Sequence, residues 1–105
     1  MYQDTTYLTD TKSGVNIPGG FALYQSYPNP FNPTTKIEFQ LPKDEFVSLK
    51  VYDMLGNEVE TLANGYKTVG KYSITFDASK LASGIYFYQL RSNSFVSTKK
   101  MLLLK

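Results

Sequence analysis

Asp53, Asn57 and Glu58 fall together in the run Val51-Tyr52-Asp53-Met54-Leu55-Gly56-Asn57-Glu58-Val59, and their side-chain oxygens are of the type that ligates calcium. Their spacing is not that of a dedicated calcium loop. The same run reads more simply as a strand, a tight turn and a second strand. Gly56 and Asn57 are the residues best able to take a left-handed conformation there, and Asp53 can accept hydrogen bonds from the turn backbone. Other chemistry is scarce. The sequence has no Cys and no His. It thus lacks a thiol nucleophile, a disulfide framework, the usual zinc ligand and the commonest general base. No catalytic residue, metal ligand or cofactor site is assigned, and the chain is not read as an enzyme. Tyr86 and Tyr88 begin an aromatic row that could stack on sugar rings, but with no Trp in the chain core packing is the more economical use.

The elements that would position these residues have the rhythm of β-structure. Nine Tyr and seven Phe in 105 residues supply enough apolar area for one core. Ile37, Phe39 and Leu41 alternate along one strand and Val47, Leu49 and Val51 along the next, with Pro42 to Glu45 as a polar turn, which predicts a hairpin. Val59 to Leu62 and Tyr72 to Phe76 suggest a second pair, with Asn64-Gly65 and Gly70 as sites of positive φ between them. Ile85 to Arg91 and Phe95 to Leu104 follow, joined by Ser92-Asn93-Ser94. With Phe21 to Tyr27 the count reaches about seven, the number of an immunoglobulin-like antiparallel β-sandwich of Greek-key type. No segment has a helical period, and Ala78 to Ser83 is long enough for one turn, capped by Asp77 or Ser79.

Three further segments have mechanical content. Tyr27-Pro28-Asn29-Pro30-Phe31-Asn32-Pro33 removes three N–H donors, so it cannot be an interior strand and reads as a stiff arm pinned by Phe31. Gly84 stands two residues before Tyr86, a placement similar to the tyrosine corner of Greek-key sandwiches, where the phenol bonds back to backbone. Lys99-Lys100-Met101-Leu102-Leu103-Leu104-Lys105 is an apolar strand bracketed by lysines. Met101 and Leu103 face one way and Leu102 and Leu104 the other, and an exposed strand here would offer an edge or face to a partner. Charge is skewed toward this end: residues 54–105 carry three acids against seven basic residues, within a net charge of +2. That value is too small to suggest nucleic acid. Lys99, Lys100 and Lys105 could meet an acidic receptor or lipopolysaccharide, or act as solvated guards against edge pairing. No signal peptide opens the chain and no apolar run is long enough to span a bilayer as a helix. Residues 1–20, rich in Thr and ending in Gly19-Gly20, read as a flexible segment, and residues 21–105 as the sandwich.

The order and spacing of the proline arm, the Tyr52-Asp53-x-x-Gly56-x-Glu58-Val59 pattern, the Leu81-Ala82-Ser83-Gly84-Ile85-Tyr86 run and the terminal strand resemble the C-terminal sorting domain of the type IX secretion system, in its type A form. The resemblance spans roughly residues 21–105 and would make residues 1–20 a linker or the tail of an upstream cargo. It implies a non-catalytic export signal at the end of a cargo protein that enters the periplasm and crosses the outer membrane of a Bacteroidota-type bacterium. It also implies as partners the outer-membrane type IX machinery and a surface signal peptidase or transferase, with the cargo released or held at the cell surface. The family positions that carry over are Asn29, Pro30, Asp53, Gly56, Gly84, Tyr86 and Lys100, with the terminal Met101, Leu102, Leu103, Leu104 and Lys105. The pattern is also similar to the immunoglobulin-like domain of flagellar hook-capping proteins, a structural module. A carbohydrate-binding accessory module is a third reading. It would require a solvent-facing aromatic platform.

Overall fold

Where one side of a strand is apolar and the other polar, that side must find a second apolar layer. Here seven strands do so as two packed sheets. The structure, a computed structural model, describes residues 20–105, so the expected linker over residues 1–20 lies outside the described residues except for Gly20. The strands are β1 (Ala22–Leu23), β2 (Thr34–Leu41), β3 (Glu45–Tyr52), β4 (Glu58–Lys67), β5 (Gly70–Asp77), β6 (Gly84–Arg91) and β7 (Val96–Leu103). One sheet has the order β1-β2-β5 and the other β4-β3-β6-β7, with every neighbouring pair antiparallel. This is the Greek-key order of an immunoglobulin-like sandwich, with the fourth strand beside the third in the larger sheet.

The alternating residues form the core as their period requires. Ile37, Phe39, Leu41, Val47, Leu49 and Val51 are fully buried, and Phe31, Phe76, Tyr88, Leu90, Met101 and Leu103 join them from both sheets.

The expected neighbours are different. β2 and β3 do not form a hairpin, because the chain from Pro42 to Asp44 arches from one sheet to the other. β4 and β5 likewise lie in different sheets. The true partners are β2 with β5 and β3 with β4. Asn64-Gly65 is not a turn either: Gly65 lies inside β4, opposite Val47. The two hairpins that do form are β3–β4, through the Asp53 turn, and β6–β7, whose turn is closed by Ser92 N–H donating to Phe95 O at 2.8 Å. Ala78 to Ser83 holds a turn rather than a helix, with Leu81 N–H on Ala78 O and Ser79 N–H on the Asp77 carboxylate.

Candidate functional site

The proline arm and the last strand, far apart in sequence, are one structural unit. In the arm the Tyr27–Pro28, Asn29–Pro30 and Asn32–Pro33 bonds are all cis. Phe31 is the residue that fastens it. Its ring is buried in the core, 6.1 Å from that of Phe76, while its backbone reaches β7. Phe31 N–H donates to Leu102 O at 2.9 Å, and Leu104 N–H donates to Phe31 O at 3.0 Å. The side chain of Asn29 extends the contact, its Oδ1 accepting from Leu102 N–H at 2.9 Å. Gln25 Nε2 covers the next outward carbonyl, Lys100 O, at 2.8 Å. On the other side Thr35 Oγ1 holds Pro28 O. A segment with few backbone donors thereby closes a sheet edge that would otherwise accept another strand.

The edge of the terminal strand over Leu102 to Leu104 is occupied within the chain and is not open for strand addition. Parity was read correctly: Met101 and Leu103 are buried, Leu102 is half-buried and Leu104 is 51% exposed. Lys105 is tied down as well. Its N–H donates to Ser83 Oγ and its ammonium to Ser79 O at 2.6 Å. Lys100 is exposed, whereas Lys99 is half-buried at the sandwich rim.

The Asp53 turn uses its acid internally. Asp53 Oδ1 accepts from Leu55 N–H and Asn57 N–H, both at 2.9 Å, and Oδ2 accepts from Asn57 Nδ2. Those bonds, that from the Asn57 N–H foremost, hold the Asp53 pKa below the ordinary aspartate value. Gly56 supplies the left-handed step with φ +87°. Glu58 is engaged by Thr61 Oγ1 and by Lys50 Nζ at 3.3 Å. The Asp53 and Glu58 carboxylates considered for calcium are therefore committed to the hairpin, and among the described residues no three acidic side chains converge.

Tyr86 makes the expected corner bond, its hydroxyl donating to Ala82 O four residues upstream at 2.7 Å. Tying the two sheets is the work of its neighbour. Tyr88 is fully buried; its hydroxyl accepts from Ser26 N–H at 2.7 Å and donates to Tyr24 O at 2.8 Å, joining β6 to the segment after β1. Burial raises its pKa above the ordinary tyrosine value. The sequence reading missed this role, because period 2 places Tyr88 in the core without saying what its oxygen meets. With Tyr86 and Tyr88 both inside, they form no sugar platform.

All the motif residues gather at one pole. The ends of β3 and β7 and the start of β6 lie side by side, since Tyr52 pairs with Phe87 and Gly84 with Leu103. Three shallow hollows run on from one another across the outer face. The first is bordered by Tyr52, Asp53, Met54, Gly56 and Phe87. The second shares Asp53 and Met54 and adds Leu55, Gly84, Ile85 and Tyr86. The third shares Ile85 and adds Asn29, Lys100, Met101 and Leu102. Pro30 lies exposed beside them on the arm, and Leu103 is beneath, in the core.

The family model described as a secretion system C-terminal sorting domain matches residues 25–104, from Gln25 on the arm to Leu104 past β7. The chain belongs to the secretion system C-terminal sorting domain family. Among curated proteins, nothing matches. A sorting domain of this family is a non-catalytic C-terminal signal for type IX secretion. It implies interaction with the type IX machinery and export to the cell surface or beyond. No helix among the described residues is long and apolar enough to cross a membrane.

Proposed function

We propose that residues 21–105 are the sorting module, that residues 1–20 join it to a cargo, and that the cargo passes from the periplasm across the outer membrane before a surface peptidase or transferase removes the domain. The residues that carry the signal are Asn29, Pro30, Asp53, Gly56, Gly84, Tyr86, Lys100 and Met101 to Lys105. Their roles divide. Tyr86, Met101 and Leu103 act through the core, Asp53 and Gly56 shape the hairpin tip, and Asn29 holds the arm on β7. The observation that supports this reading is the match over residues 25–104 together with the bonded arm and terminal strand, which make the two ends of the matched region a single surface.

The test is a gain of function. Residues 21–105 are fused to the C-terminus of a periplasmically directed fluorescent protein in a bacterium that secretes by the type IX route. The expected result is reporter at the surface or in the medium, and loss of export when Met101 to Lys105 are deleted. A folded, expressed fusion retained in the periplasm of a host exporting its own cargo would refute the module boundary.

A further inference from the structure

The outer face of the larger sheet is polar in its middle and apolar at both ends, with Phe46, Tyr66 and Val96 exposed at the far end and a second group at the motif pole. Directly opposed residues share a sheet face, so the pairs Tyr52 with Phe87, Phe87 with Lys100 and Ile85 with Leu102 form one outward row. The hairpin tip extends it: Met54 is 64% exposed and Leu55 is 86% exposed. Leu104, at 51%, bounds the other side. Such clustering is unlike the scattered apolar residues of an ordinary surface.

Charge on this face has one sign available to a partner. Asp53 is saturated by its own turn, and Lys50 is paired with Glu58. Lys100 stands between Phe87 and Leu102 in the row, exposed and, among the described residues, without a carboxylate partner. The hollows beneath are shallow and open, a form suited to a side-chain ridge rather than an enclosed small molecule.

The first described residue lies away from this pole. The described residues begin at Gly20, whose carbonyl accepts from Gln40 Nε2 and which lies 3.8 Å from Pro42. That is the opposite end of the sandwich, where β2 ends. At the motif pole the β7 edge is closed by Asn29 and Phe31.

We infer that the sorting domain docks by this face, through Met54, Leu55, Phe87 and Leu102 with Lys100, onto a protein surface that presents apolar side chains and a carboxylate. The inference deepens the sorting function and rests on it. Recognition is by a folded sheet face, with the strand edge kept shut.

The experiment uses the reporter fusion. Met54→Glu with Leu55→Glu places two charges at the exposed tip, and Lys100→Glu reverses the cation. Thr75→Glu, on the exposed outer side of β5 in the other sheet, is the control. Each protein is first shown to melt near the parent midpoint. The tip and Lys100→Glu variants should lower export about tenfold or more, as expected for hot-spot residues, Lys100→Arg should restore it, and Thr75→Glu should export normally. Normal export by the folded tip and Lys100→Glu variants would overturn the inference. So would binding of the purified chain to lipopolysaccharide vesicles that both changes abolish, which would assign the face to lipid headgroups. An unmodified fusion that never leaves the periplasm would instead overturn the sorting function beneath it.

Discussion

At the scale of single residues, two tyrosines two positions apart do different things. Removing the Tyr88 hydroxyl leaves Ser26 N–H unpaired in a buried place and frees Tyr24 O as well, whereas removing that of Tyr86 frees one part-buried carbonyl. Tyr88→Phe should therefore cost about 2 kcal/mol and Tyr86→Phe about 1 kcal/mol, read from urea unfolding of the two variants. The reverse order would contradict the assignment of the sheet tie. Titration separates other residues. Because the Asp53 pKa is lowered by folding, its contribution is present above the ordinary aspartate pKa and fades as the pH falls through the lower folded value. Asp53→Ala should thus be less stable than the parent at about pH 6, with the gap closing toward about pH 2. Tyr88 has the opposite sign: its raised pKa stabilises fully below the unfolded tyrosine value and is lost as the pH climbs through the folded one. Parent stability should fall above about pH 10, and that part of the fall should be absent in Tyr88→Phe. The corner bond of Tyr86 was legible in sequence because its acceptor is local, four residues away. The Tyr88 bond was not, since Tyr24 is 64 residues distant.

At the scale of elements, alternation revealed which side of each strand faces inward but not which strand lies next to it. Ile37 to Leu41 and Val47 to Val51 have the same apolar period whether they pair with each other or face each other across the core, and the structure takes the second course. The Asp53 turn and the Ser92 turn were read correctly because each is short and forms its own hydrogen bonds. Asn64-Gly65 misled because its local chemistry favours a turn while pairing with β3 holds it in a strand. The arm is the element with the clearest physical signature. Its bonds predict that the Leu102 and Leu104 amides resist hydrogen exchange, while Val96 and Thr98, on the part of β7 that the arm does not reach, exchange quickly. Phe31→Ala should cost about 3–5 kcal/mol and erase the protection of Leu102 and Leu104 before that of the β6–β7 pairs. Equal loss everywhere would mean that the arm is only part of the core and not a separate clasp on β7.

At the scale of the whole molecule, the sandwich has two unlike poles. Gly20 lies at one; the other collects the arm, the Asp53 hairpin, the Gly84 start of β6 and the last residues of β7. Motifs that sequence could only set in order become a surface here, and this explains why segments 73 residues apart belong to one family pattern. The sequence could show that they co-occur, but only the crossed topology shows that they touch. The proposed function requires that this folded domain be by itself a type IX export signal. The most direct measurement is the protease-accessible fraction of a reporter carrying residues 21–105, compared between a host with intact type IX machinery and an otherwise identical host whose type IX outer-membrane pore is deleted. The reporter should be digested on intact cells of the first host and protected inside the second. Equal accessibility in both hosts, with the fusion folded and equally expressed, would contradict the claim.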